Sequence, residues 1–201
     1  MTSLHPVLTT AKIAINLKWT IIDTMAIRLS NVDRWYQSNI GEEYEREATR
    51  FGVTKHDNIL HVGCGKYPLS EIVLNTQIGS PITGIDNKKH VVNIAQRYIN
   101  RTLQNHTITL EHGDGRHYTL DPYNVIILSS CTTPLFEVLD HVSKTAKSGT
   151  KLIIRELNLA LPQLQRYLKD HPRFSIHETI SNTKGTRFKA LEWSTIHATI
   201  R

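Results

Sequence analysis

The sequence predicts an α/β fold: a Rossmann-like, mainly parallel seven-stranded sheet that finishes in an antiparallel hairpin, with a helical cap at its N-terminus. From residue 58 onward, short apolar runs alternate with longer amphipathic ones, the pattern of strand-helix-strand units. Near the C-terminus, two strand-like runs flank the turn-rich segment Ser181-Asn182-Thr183-Lys184-Gly185, which implies that they pair antiparallel. Over the first fifty residues the apolar positions recur at helical spacing instead.

Within that N-terminal stretch, Ala11, Ala14, Ile15, Ile22, Met25 and Leu29 form one stripe of an amphipathic helix. Ser30-Asn31 punctuates it, and a second helix is expected over 33–50, with Asp33 at its N-cap and Gly52 ending its last turn. Five parallel strands follow at NILHV (58–62), PITGI (81–85), TITLE (107–111), YNVIIL (123–128) and TKLIIR (150–155). Helices fit at 69–76, 88–101, 134–147 and 161–169, while the third crossover, HGDGRHYTLDP, is too short for a long helix. FSIHETI and RFKALEWSTIHATI supply the closing hairpin. The boundaries divide the chain into a helical cap, 1–52, and a sheet domain, 53–201.

At 201 residues and 39% hydrophobic content, the chain holds enough apolar material for one large core. The formal net charge of +6 is spread over separate groups, Lys88/Lys89, Arg97/Arg101 and Lys184/Arg187/Lys189, so a small-molecule acceptor is favoured over a nucleic acid. Only Cys64 and Cys131 are present and no cleavable leader pattern is seen, from which a cytoplasmic location is expected. Lys12, Lys18, Asp23 and Arg28 interrupt the apolar run over 11–29, which excludes it as a membrane span. The stripe can instead close over a site or join two copies of the chain as a homodimer through the N-terminal helices.

The strand NILHV runs directly into Gly63-Cys64-Gly65-Lys66-Tyr67-Pro68 and then a helix, the layout of a nucleotide-binding turn. Glycines there let the backbone approach a ligand, and the helix that follows presents free amides. Twenty-one residues beyond Gly65, Asp86 ends the second strand with Asn87 beside it, where a carboxylate can bond both hydroxyls of an adenosine ribose. Its alternative role is to cap the next helix, and the two can coexist. Gly113-Asp114-Gly115 sets a second acid after the third strand, in reach of an exocyclic amino group. The fourth strand ends in Ser129-Ser130-Cys131-Thr132-Thr133, small polar residues suited to lining an acceptor pocket. Glu156, beyond the fifth strand, is a candidate to face that acceptor.

From residue 58 to the C-terminus these features resemble the class I S-adenosylmethionine-dependent methyltransferase superfamily. The resemblance implies S-adenosylmethionine as cofactor, its methionine end cradled by Gly63, Cys64 and Gly65, its ribose held by Asp86 with Asn87, and its adenine contacted at Gly113 and Asp114, with Ser129 as a further cofactor-binding candidate. A closing hairpin, and Pro68 where a third glycine would stand, argue against a nicotinamide oxidoreductase. Within the superfamily, GCGKYPLSEIVL is similar to the GxGxxPLTxIxL segment of nicotianamine synthases, and YNVIILSSCTTP and KLIIRE are similar to strands of that branch. Those enzymes transfer an aminocarboxypropyl arm and have a larger N-terminal helical domain with a catalytic glutamate, for which fifty residues are too few. A tyrosine before the sheet helps to enclose their substrate; Tyr36 is its nearest match and Tyr44 the second. Tyr36 and Glu156 are thus the candidate catalytic residues. Methyl transfer is the first expectation, aminocarboxypropyl transfer the second, and a non-catalytic cofactor-binding module the third.

Other polar residues receive plainer readings. His106, His112 and His117 lack metal-ligand spacing, so no metal site is expected. Cys64 and Cys131 are wall residues, and Trp19, Trp35 and Trp193 are packing anchors. Glu71, in the first turn after the glycine loop, is read as an acid favoured by the helix dipole.

Overall fold

The computed structural model describes residues 6–182 and 192–201. Its central strands are β1 (Ile59–Val62) and β4 (Val125–Leu128), both buried along their whole length because helices cover the sheet on both faces. Beside them lie β2 (Ile82–Asp86), β3 (Ile108–His112), β5 (Lys151–Leu157), β6 (Phe174–Ser181) and β7 (Trp193–Ile200). The seven-stranded sheet has the order β3-β2-β1-β4-β5-β7-β6. The first five strands are parallel, and β7 pairs antiparallel with both β5 and β6. All seven expected strands are present within one to two residues of their predicted ends on the parallel part, and the crossover from β3 to β4 contains turns only. The start of RFKALEWSTIHATI and most of the expected hairpin turn lie outside the described residues.

This order fixes where a ligand can enter. Chain leaving β1 crosses toward β2, whereas chain leaving β4 crosses toward β5, so a crevice opens between the carboxyl ends of β1 and β4. On one face of the sheet, α4 (Leu69–Val73), which continues as a π-helical turn over Leu74–Ile78, and α5 (Lys89–Thr102) bury Ile72, Val73, Ala95 and Ile99 against Ile59, Ile82 and Ile127. On the other, α6 (Leu135–Thr145) and α7 (Leu161–Asp170) pack Leu139 and Leu164 onto Leu60, Ile126 and Ile154.

The N-terminal helices cover the first face. A long α1 (Pro6–Arg28) is followed by α2 (Ser30–Tyr36), a π-helical turn over Gln37–Gly41, and α3 (Glu42–Arg50). Gly52 takes φ +68° just beyond α3, and its amide and that of Val53 close the last turn on Thr49 and Ala48. Two expectations for this region are corrected. Helix α2 starts at Ser30, and Asp33 caps nothing: its carboxylate accepts hydrogen bonds from the hydroxyls of Tyr67 and of Tyr98 (3.1 Å) and from Gln37 Nε2 (2.9 Å). The buried face of α1 is also rotated from the predicted stripe. Lys12, Ile15, Trp19, Ile22 and Ala26 turn inward, whereas Ala14, Met25 and Leu29 are exposed, with Ile13, Leu17 and Ile21 on the same outer side. The shift follows from two charged residues, Lys12 and Asp23, that face inward because each finds a partner there.

Candidate active site

At the carboxyl end of β1 the chain turns through Gly63 (φ +89°) and Gly65 (φ +69°), left-handed conformations that favour glycine. The amides of Gly63 and Cys64 bond back to the carbonyl of Ile85 at the end of β2, which draws the turn toward Asp86. One Asp86 oxygen accepts the Lys88 amide at 2.9 Å and the other the Gly65 amide at 3.4 Å. The carboxylate thus meets both the chain just before α5 and the glycine turn, although α5 has Lys88 at its N-cap and no side-chain cap. Asp114, after β3, is gripped by Arg116 through Nε and Nη2 at 2.7–3.1 Å, and that guanidinium draws its pKa down to about 2.

These three strand ends border one cavity of about 360 Å³. Gly63, Gly65, Asp86, Asn87, Gly113, Asp114 and Gly115 line it from the sheet, and Cys131 and Thr132 from the loop after β4. Its remaining wall comes from α1, through Asn16, Trp19, Thr20 and Asp23. A smaller cavity of about 80 Å³ lies on the methionine side expected of the turn, sharing Trp19, Asp23, Gly63, Gly65 and Cys131 with the first. Tyr36, Tyr44, His61, Cys64, Tyr67, Ser129, Arg155 and Trp193 are among its further walls.

Aromatic packing builds the roof of this second space. Tyr36 lies between Trp19 (ring centroids 5.9 Å) and Tyr67 (5.3 Å) in nearly parallel stacks, and Trp193 meets Trp19 edge-on at 6.0 Å. Tyr44 lies against the Arg155 guanidinium, 3.6 Å from ring centroid to Cζ. Beneath it, Arg155 donates to Glu47 and to Ser70 (2.7 Å), and Thr195 donates to Glu47 at 2.6 Å, so α3, α4 and the sheet share one buried polar network.

Asp23 stands where the two cavities meet. Its Oδ1 accepts the Tyr36 hydroxyl at 3.2 Å, and its Oδ2 lies 3.3 Å from where a Cβ on Gly65 would stand. Burial pushes its pKa up to about 7, against the smaller opposing pull of the Tyr36 hydroxyl and Lys66. Tyr36 is in turn held well above its ordinary value, by burial first and by Asp23 next.

The structure gathers nearly all the residues named from the sequence. Gly63, Gly65, Asp86, Asn87, Gly113 and Asp114 line the larger cavity, Cys64, Ser129 and Tyr36 the smaller. Glu156 is the exception. It is buried in an ion pair with Lys12 (2.6 Å) and accepts the Leu157 amide, and it lines neither cavity. Sequence reasoning missed Asp23, which stood out only as a charge interrupting an apolar helix, and Arg155, read as the last residue of a strand. Among the described residues, no cluster of three or more His, Cys, Asp or Glu side chains is placed to hold a metal ion, and no helix is long and apolar enough to cross a membrane.

A parallel sheet of this order, closed by an antiparallel hairpin, with a glycine turn and two acids at its carboxyl edge, is the fold of class I S-adenosylmethionine-dependent methyltransferases. Among solved structures, the chain is similar to a glutamate-to-glutamine mutant of the nicotianamine synthase MtNAS in complex with S-adenosylmethionine, at TM-score 0.76 and 13% identity over 96% of this chain and 76% of that one. MtNAS in complex with MTA and tNA superposes at TM-score 0.74 and 13% identity, over 96% and 74% of the two chains. An S-adenosylmethionine-dependent methyltransferase from Aquifex aeolicus matches at TM-score 0.64 and 14% identity, covering 79% of this chain and 89% of that one. No protein-family model and no curated protein matches.

Proposed function

We propose that this chain is an S-adenosylmethionine-dependent transferase that moves the aminocarboxypropyl arm of that molecule onto a small amine. The observation that carries the reading is the position of Asp23, a carboxyl with a pKa near 7 on the wall shared by the two cavities, inside an aromatic enclosure. The donor set fits an adenosyl group: a glycine turn with a free approach, Asp86 at the ribose position, Asp114 at the base position, and a cavity of about 360 Å³ between them. Aminocarboxypropyl rather than methyl transfer is favoured by the extent of the likeness. The match to MtNAS takes in 96% of this chain, that to the Aquifex aeolicus methyltransferase 79%.

S-adenosylmethionine supplies carbons made electrophilic by its sulfonium. Gly63, Cys64 and Gly65 hold the arm that carries the γ-carbon, and the roof of Trp19, Tyr36 and Tyr67 excludes water from it. The amine lone pair forms the new N–C bond as the C–S bond breaks, the electron pair passing to sulfur and leaving methylthioadenosine. Asp23 takes the proton that the nitrogen sheds, a step suited to a carboxyl that is largely ionised above neutral pH.

Methyl transfer is the second reading, favoured by the methyltransferases that share the sheet, including a glycopeptide N-methyltransferase crystallised with sinefungin, at TM-score 0.64 and 14% identity. Incubating the chain with S-adenosylmethionine and a panel of amines, followed by chromatography of the nucleoside product, separates the two. Methylthioadenosine supports the first reading, S-adenosylhomocysteine the second, and neither compound would overturn both.

A further inference from the structure

Directly under the smaller cavity, His61 of β1 and Glu71 of α4 form a buried pair, Nδ1 to Oε1 at 2.7 Å, with His61 only 4% exposed and Glu71 completely buried. The neighbouring strand is built to admit it. Gly84 of β2 is the registered partner of His61, and a Cβ on Gly84 would lie 2.2 Å from Glu71 Oε1, so the carboxylate occupies the space where a side chain would be. His61 Nε2 and Glu71 Oε2 are left without partners, and Arg155 Nη2 nearby also lacks an aligned hydrogen bond.

Such an arrangement is costly as pure scaffold. Apolar residues of similar size would pack as well between a helix and a sheet, and each buried polar atom without a partner costs about 1–3 kcal/mol. His61 also differs from the other residues of its strand in lining the cavity while remaining buried. In the neutral tautomer that donates Nδ1–H to Glu71 Oε1, Nε2 carries the ring's lone pair. An atom that lacks a partner in the protein, on a ring that edges the aromatic-walled space, favours a guest that carries N–H or O–H.

We infer that the His61–Glu71 pair is an acceptor-binding element, in which Glu71, seated over Gly84, orients the ring so that Nε2 accepts a hydrogen bond from an ammonium or amine group of the acceptor. This rests on the reading of the site as an amine-accepting transferase and adds to it the residue that selects the amine. Asp23 and His61 line the same small cavity, Asp23 as the proton acceptor and His61 as an anchor.

Nitrogen NMR of the chain labelled with ¹⁵N-histidine tests it, with S-adenosylmethionine bound and n-propylamine or 3-aminopropanoate added as probes. The His61→Phe variant assigns the resonance. The expected result is that Nε2 of His61 shifts on saturation with a probe. In His61→Phe, probe affinity should fall about tenfold or more while S-adenosylmethionine affinity holds, with a loss of thermal stability because Glu71 is left buried without its partner. Gly84→Ala, which displaces Glu71, should weaken the probe in the same direction. An Nε2 resonance that ignores every probe, or a His61→Phe variant that binds them as the parent does, overturns the inference. Should His61→Phe fail to fold, His61→Asn assigns the resonance and carries the affinity comparison in its place. By-product formation with an unmoved Nε2 would leave the transferase reading standing without this element. A shifted Nε2 without by-product would do the reverse.

Discussion

The amide of Gly65 donates to the carboxylate of Asp86 across 3.4 Å, joining a turn and a strand end that are twenty-one residues apart in the chain. Any adenosyl group seated between β1 and β2 meets both at once. Replacing Asp86 with Ala removes the proposed ribose acceptor together with this tie, and S-adenosylmethionine affinity measured by calorimetry should drop by more than about 1 kcal/mol, the worth of a charge-assisted hydrogen bond. Unchanged affinity would remove Asp86 from the ribose site.

Asp23 carries a sign that can be checked twice. As proton acceptor it must be ionised, so the rate with saturating amine should rise through a pKa near 7, and Asp23→Asn should lower kcat by about 10²–10⁴ while leaving cofactor affinity intact. Its effect on stability runs opposite. The folded carboxyl holds its proton up to about 7 and the unfolded one releases it near 3.8, so folding is favoured at low pH and that advantage is lost as pH climbs toward 7. Asp23→Asn should therefore raise Tm at pH 8 and give little gain at pH 4; equal Tm changes at the two pH values would place the carboxyl in an ordinary solvated setting.

The Lys12–Glu156 pair ties α1 to the end of β5 with both side chains at most 5% exposed. Lys12→Met alone leaves a buried carboxylate without its cation and should destabilise the fold by about 3–5 kcal/mol, read from chemical denaturation. The double variant Lys12→Met/Glu156→Leu should recover most of that loss. Turnover by the recovered variant should match the parent, because Glu156 reaches neither cavity; a collapse of kcat in a stably folded double variant would return Glu156 to the chemistry.

Gly65→Ala puts a Cβ on a backbone at φ +69° and within 3.3 Å of Asp23 Oδ2. A loss of about 1–2 kcal/mol in stability is expected, together with weakened cofactor binding at the turn. Full affinity in this variant would show that the turn stands away from the ligand.

Much of this was legible in the residues themselves. Strand positions followed from apolar runs such as VIIL (125–128), whose burial on both faces needs no partner information, and the glycine turn and Asp86 are set by local sequence at strand ends. What escaped was the inward face of α1. Periodicity weighs apolar residues and so selected Ala14, Met25 and Leu29, whereas the helix turned Lys12 and Asp23 inward because Glu156, Tyr36 and the Tyr67 amide wait for them there. Those partners lie from 13 to 144 residues away, a distance at which helical spacing has no information. Glu71 was read from its place in a first turn, and only the neighbouring strand shows that Gly84 makes room for it.

Because α1 contributes Asn16, Trp19, Thr20 and Asp23 to the cavities while the sheet contributes the glycines, Asp86 and Asp114, the walls are encoded in separate stretches of chain. One helix could be redesigned, or could drift, and reshape that wall without disturbing the strand ends beneath it. In this architecture, one cavity wall is a replaceable lid and the rest a constant seat.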